Sequence, residues 1–250
     1  MMRSGVSTVA AVVFLGATSG AFAQTTDPGS RVFLSVNSGY QATSDDFRDG
    51  VVFRQNAEDG RFDTEYNVTS GPTFDVSGGG RVWRWLSVGG GVSRSSRSTP
   101  AVLTGSVPHP FFFNRPRAVG GHITGLDRKE LSLHVQARGV VPVSERLQLS
   151  LFGGPSWFRV DQGMVVNITY TEEYPYDEAL FSGQTTTTET ESALGFNVGC
   201  DVALFFSRHA GIGVLVQYAG ATVSLPSADR TFREVNAGGI QTGVGLRLRF

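Results

Sequence analysis

The residues best equipped for chemistry are seven charged or titratable side chains spread along the chain: Asp75, Arg81, His134, Arg138, Asp201, Arg247 and Arg249. Arranged around a pore, such groups would set ion selectivity or pass protons. Packed against one another, they would instead form a network of salt bridges and hydrogen bonds filling a closed interior. Pairing of Arg138 with Asp201 or Asp75 is the expectation in that case. Nucleophilic catalysis needs a nucleophile, a base and a group that orients the base. On its own parity His134 is followed by Gln136 and Arg138, with no serine on that side. His209 lies in a short turn, and His109 and His122 lie in a long link without a partner motif. The expectation is a protein without catalytic residues, metal ligands or cofactor.

Each of the seven falls on the polar parity of a segment in which apolar and polar residues alternate. Eight such segments occur, at 31–41, 71–83, 86–95, 131–143, from 147 onward, 194–206, 212–219 and 240–250. In the last, Ile240, Thr242, Val244, Leu246, Leu248 and Phe250 oppose Gln241, Gly243, Gly245, Arg247 and Arg249. Alternation with period two is the pattern of a β-strand with one face in each of two environments. The segments are long enough for tilted membrane strands, which need about 9–11 residues. The links alternate too. Those at 84–85, 144–146 and 207–210 are minimal, whereas 42–70, 96–130, 161–192 and 226–237 are long. Short turns on one rim and long loops on the other describe a membrane barrel with its loops outside the cell.

Aromatic residues fall at both rims. Trp83, Trp85, Phe206 and Phe250 come at the short-turn ends, and Tyr40, Phe74, Trp157 and Tyr218 at the long-loop ends. These are the girdles expected where strands meet the two interfaces. Energetics select the facing. An arginine turned to lipid costs about 2–4 kcal/mol at the midplane, so the charged parity faces the lumen and the apolar parity faces lipid. The fold class is all-β, an eight-stranded antiparallel up-and-down transmembrane barrel with long extracellular loops. A ten-stranded variant would send 51–68 across the membrane. Val51, Val52 and Phe53 followed by Arg54, Gln55 and Asn56 give that segment no sustained lipid stripe.

Composition agrees. A formal net charge of −1 argues against a nucleic-acid partner. Thirty-two glycines weigh against long helices. Cys200 is the single cysteine, so no intrachain disulfide forms. Residues 1–23 have the form of a secretory signal peptide: Arg3, an apolar run at 9–15, and Ala21-Phe22-Ala23 before Gln24. Residues 24–250 would then be the exported barrel domain.

With this strand count, turn and loop asymmetry and aromatic-ended last strand, the chain resembles the small outer-membrane β-barrels of the eight-stranded OmpA/OmpX type, in their barrel domain only. The resemblance implies that Val244, Leu246, Leu248 and Phe250 form an assembly signal read by the barrel-insertion machinery. It also implies outer-membrane lipid and lipopolysaccharide as surroundings. It leaves function to the loops. Residues 164–171 alternate, so the fifth strand is expected to continue above the membrane with Thr185–Thr188 on the returning arm. Residues 51–68 would form a hairpin around Glu58-Asp59-Gly60. Phe111, Phe112 and Phe113 beside Arg115 and Arg117 would be either an exposed binding patch or a plug in the barrel mouth. Glu172, Glu173, Asp177, Glu178, Glu189 and Glu191 read as solvated surface charge. The sequence supports a closed or narrow barrel that anchors loops for surface structure or interaction with an extracellular ligand or host surface. A small porin-like channel is the alternative.

Overall fold

The computed structural model describes residues 31–43, 45–227 and 231–250. The expected signal peptide lies outside the described residues. Ten strands form one antiparallel sheet: β1 Val32–Ala42, β2 Asp45–Gln55, β3 Glu58–Val68, β4 Gly71–Arg81, β5 Leu86–Val107, β6 Arg117–Pro142, β7 Leu147–Thr171, β8 Leu180–Phe205, β9 Ala210–Pro226 and β10 Phe232–Arg249. Eight of them close a ring in the order β1, β4, β5, β6, β7, β8, β9, β10, and β10 returns to β1 in register from Phe33↔Arg249 to Ala42↔Ile240. The closing partner is the N-terminal segment that the alternation singles out.

The register sets the shape of the ring. A row of paired residues runs from Arg94 through Leu131 and Arg159 to Ser192 on β8. The other way round, through Phe74, Ser38, Val244 and Val214, the same row reaches Val202. The ten-residue offset between Ser192 and Val202 is the barrel's shear. Eight strands at that shear lean about 43° from the axis and enclose a backbone radius of about 8 Å, which side chains fill.

The structure corrects the expected loops. Residues 96–130 are mostly strand: β5 and β6 stay paired up to Val107↔Arg117, leaving a turn only at 108–116. β7 runs to Thr171 and β8 returns from Leu180, with Met164 opposite Thr187 and Asn167 opposite Thr185. That arm is as expected. The first long link is a hairpin, but its turn is Asn56-Ala57, both at positive φ (52° and 64°), with Gln55 opposite Glu58. Two positive-φ residues make the tight turn whose twist suits a hairpin, and Asp59 and Gly60 lie inside β3. This hairpin does not cross the membrane. β3 takes over from β4 as the partner of β5 higher up, from Tyr66↔Ala101 to Arg61↔Ser106.

Above the ring the side chains change places. Along β7, Ser150 and Ser156 face inward with Leu151 outward; further up, Phe158, Val160 and Met164 are buried, and Arg159 and Asp161 face out. On β6 a bulge at Gly125 (φ 80°) shifts the register between Thr99↔Leu126 and Ala101↔Ile123. It turns Ile123 and Val119 inward and leaves His122 and Thr124 exposed. The extracellular ends of the strands thereby enclose an apolar cluster containing Phe47, Phe62, Tyr66, Leu103, Ile123, Met164, Val223 and Leu225, among others. This extracellular cap has a core of the kind found in water-soluble proteins, each fully buried aliphatic or aromatic side chain contributing about 1.5–3 kcal/mol.

Candidate functional site

The interior is layered, and the layers are built by inward-facing residues of neighbouring strands. Lowest, near the short turns, the Asp201 carboxylate accepts Arg247 Nε at 2.9 and 3.1 Å, and the Arg247 Nη2 group closes a second bond. Arg138 Nη1 approaches the same carboxylate at 3.6 Å, and its guanidinium lies between the rings of Phe33 (4.6 Å) and Phe152 (4.9 Å). Two cations thus share one anion, with aromatic faces sharing the excess charge. β9 comes close to this group because Gly213 has no side chain: a Cβ there would stand 2.7 Å from Arg247 Nε. Arg249 lies at the rim, over the Phe205 ring at 4.0 Å, and donates to the Arg208 carbonyl. Arg81 is exposed, and its side chain has no polar partner among the described residues. The interior network expected around it forms without it, because β4 ends there and the side chain already reaches the rim.

The middle layer crosses the barrel. Asn37 Nδ2 and Ser93 Oγ donate to Asp75 at 3.0 and 2.9 Å. Ser93 Oγ is 3.0 Å from His134 Nε2, and Ser156 Oγ is 2.8 Å from His134 Nδ1. Asn197 donates to Ser156 at 2.8 Å and accepts from Gln136 at 3.0 Å. The expectation that His134 has no serine beside it is corrected. Its serines come from adjacent strands, Ser156 directly opposite it on β7 and Ser93 on β5. The order differs from a hydrolase triad, in which a carboxylate orients the imidazole and the imidazole activates the serine. Here both ring nitrogens meet hydroxyls, the carboxylate holds Ser93, and Ser93, His134 and Ser156 are all buried.

An upper layer adds residues that the alternation does not single out. Glu130 is buried between Arg97 Nη2 (2.5 Å) and Arg128 Nε (2.7 Å), and it accepts Gln41 Nε2 at 2.8 Å and the Gly238 amide at 3.2 Å. Burial alone would raise the Glu130 pKa, but Arg128 and Arg97 outweigh it and hold the carboxyl below its usual range. Arg128 also donates to the Asn236 carbonyl at 2.6 Å. A ladder of amides extends from this cluster, Gln217 to Gln241 at 2.7 Å and Gln241 to Gln41 at 3.0 Å. Between the middle and upper layers lies a void of about 10 Å³ beside Asn37, Asp75, Leu215 and Gln241. At the short-turn mouth a recess of about 40 Å³ ends against Arg138, Asp201 and Arg247. Above Glu130 the apolar cap begins, and in it Tyr66 accepts the Val165 amide at 2.8 Å while burial pushes its phenol up.

The outer surface holds the remaining expected residues. Tyr40, Phe74 and Tyr218 are exposed at the upper edge of the apolar belt, with Trp157 half-buried among them; Trp83, Trp85, Phe206 and Phe250 are exposed at the lower edge. Val244, Leu246 and Phe250 are exposed on the outer face of β10, and Leu248 is half-buried there. Cys200 is a free thiol on the outer face. Phe111, Phe112 and Phe113 stand exposed at the summit, so the apolar filling of the barrel mouth comes from the cap. His109 is buried beneath them and accepts the Phe111 and Phe112 amides at Nδ1, at 3.1 and 3.2 Å. Phe111 meets Tyr176 edge-on at 5.4 Å, and Arg115 lies over Phe112 at 5.6 Å. Two of the loop acids are engaged, Glu172 by Arg117 and Asp177 by Arg115 at 3.5 Å.

No protein-family model matches the chain, and no curated protein does. Solved structures do. The outer membrane protein OprG from Pseudomonas aeruginosa aligns with a TM-score of 0.50 at 10% identity, over 88% of this chain and 96% of its own. Neisserial surface protein A aligns with a TM-score of 0.44 at 13% identity, over 88% and 96%. The outer membrane protease OmpT from Escherichia coli aligns with a TM-score of 0.43 at 10% identity, over 87% and 97%. The fold is that of the outer-membrane β-barrels, and the belt of Leu151, Val198, Val202, Val214 and Val244 on its outside belongs in hydrocarbon.

Proposed function

We propose that this chain is a surface interaction protein: a closed membrane anchor carrying a rigid extracellular cap that meets a ligand or a host surface. The observation that carries this reading is the continuous filling of the interior, from the Asp201 layer through His134 and Glu130 to the apolar cap. An eight-stranded barrel has room inside for side chains and little else. A channel would have to open both charged layers and the packed core at once. The same filling argues against catalysis, since a substrate has no path to His134 and its hydrogen-bonding positions are already taken.

The cap offers two kinds of surface. One is the summit patch of Phe111, Phe112, Phe113 and Tyr174, all exposed. The other is the upper edge of β8, which pairs with β7 up to Leu180 but with β9 only as far as Phe196. An unpaired strand edge is a template for another chain. In this reading the lipid partners are phospholipid and lipopolysaccharide, and the barrel-insertion machinery reads the last strand through Phe250. The test pairs conductance with binding. Reconstituted protein is expected to give no stable open level in planar bilayers, and truncating the β5–β6 and β7–β8 tips is expected to abolish cell-surface binding while heat-modifiable migration persists. A steady conductance, or binding unchanged by truncation, overturns the proposal.

A further inference from the structure

On the outer wall, just above the apolar belt, a recess of about 220 Å³ is lined by Arg94, Lys129, Glu130, Leu131, Arg159 and Asp161. Its three cations come from adjacent strands. Arg94 and Arg159 flank Leu131 in one row, and Lys129, the only lysine of the chain, stands in the next row between Ser96 and Asp161. The Glu130 carboxylate points the other way, into the barrel, where Arg97 and Arg128 hold it. The only outward anion in the recess is Asp161, 3.4 Å from Arg159 Nε and accepting Thr190 Oγ1 at 2.7 Å. The side chains of Arg94 and Lys129 have no ion-pair or hydrogen-bond partner among the described residues. Three positive charges face one negative charge.

The position of the recess identifies what it meets. The rows climb ten residues over eight strands, so heights can be compared around the ring. Arg94 is level with Tyr40, Phe74, Tyr218 and Ile240, while Lys129 and Arg159 stand about 6–8 Å higher. Directly below lie Val92, Leu133 and Leu194, all exposed on the lipid-facing side. At a similar height the link before β4 presents Thr69, and β8, β9 and β10 present Ser192, Thr222 and Asn236, none of them charged, while Asp45 of β2 sets an anion against Asn236. The positive field is therefore one-sided and sits where acyl chains end and headgroup phosphates begin. Arginine forks bind phosphate oxygens in pairs and lysine adds a point charge.

We infer that this recess binds the phosphate of an outer-leaflet phosphoglycolipid of the lipopolysaccharide type, with its acyl chains lying along Leu131, Leu133 and Leu194. The site is independent of whatever the cap binds. The test uses the full chain in nanodiscs titrated with bisphosphorylated lipid A, with lipid A stripped of phosphate, with phosphatidylglycerol and with inorganic phosphate, read by native mass spectrometry. Lipid A is expected to bind in preference to the other three. The R94S/K129S/R159S variant is expected to lose at least about tenfold in affinity, in line with losing charge-assisted hydrogen bonds. Asp161→Asn, which removes the opposing charge, is expected to tighten binding and serves as the second readout if the triple variant fails to insert. Equal binding by wild type and the triple variant, equal binding of stripped lipid A, displacement by inorganic phosphate at matching concentration, or no tightening in Asp161→Asn each overturns the site.

Discussion

The barrel within the membrane and the cap above it are made of the same strands, yet their interiors are opposites. Below the upper aromatic belt the inside holds Asp201, Arg247, Asp75, His134 and Asn197, and the outside holds leucine, valine and aromatic rings. Above it the inside holds Phe62, Leu103, Met164 and Leu225, and the outside holds threonine, serine and charge. Each β-strand offers one face to the interior and one to its surroundings, so the polarity of the interior follows the solvent outside. Lipid takes the apolar face outward and leaves hydrogen bonds to hold the inside together. Water takes the polar face outward and leaves burial to do so. Glu130, with Arg97 and Arg128, sits at the changeover.

This contrast predicts that the two regions break differently. The largest effect is expected for Asp201→Ala, which leaves Arg247 and Arg138 buried without their anion. Loss of one partner of a buried pair costs about 3–5 kcal/mol, read by urea unfolding in lipid vesicles, and a loss below about 1 kcal/mol would mean that the charged layer is not what holds the barrel interior. Next is Leu103→Ala in the cap, at about 2–5 kcal/mol for a buried leucine. Its damage is expected to stay local, with faster amide exchange in β3, β5 and β6 above the belt and unchanged heat-modifiable migration of the barrel. Collapse of both regions together would show them to be one cooperative unit.

A matched pair of substitutions on the outer face sharpens the comparison. Val202→Arg faces lipid near mid-membrane and is expected to cost about 2–4 kcal/mol. Thr222→Arg, on the outside of β9 in the cap, is expected to stay within about 0.5 kcal/mol, as exposed surface changes usually do. Equal costs would place the membrane boundary elsewhere. The smallest effect is at the hairpin turn. Ala57 carries a Cβ at φ 64°, so Ala57→Gly is expected to steady the β2–β3 hairpin by about 1 kcal/mol or less, seen as slower amide exchange there.

The membrane strands were legible because lipid and lumen demand opposite residues at every second position, and 240–250 shows the alternation without interruption. The upper reaches of the same strands were not. Residues 93–99 alternate Ser93, Ser95, Arg97 and Thr99 inward with Arg94, Ser96 and Ser98 outward, which is polar on both parities, so Arg97 and the Glu130 cluster read as loop. At Gly125 the bulge changes parity mid-strand, and a period-two reading loses Ile123 and Val119. The Asp59-Gly60 dipeptide suggested a turn that Asn56-Ala57 supplies, since the register of β2 on β3 sets Asp59 opposite Arg54 and Gly60 opposite Phe53, inside the ladder.

By itself the sequence determined which strands meet lipid, which way they face and on which rim the loops lie, because each follows from a local alternation read against a solvent. The tertiary structure alone decided how the inward residues combine. Gln41 meets Gln241 across 200 residues and Glu130 meets Gln41 across 89, and His134 finds its serines on two other strands. Those contacts depend on register and shear, which are properties of the closed ring and of no single segment.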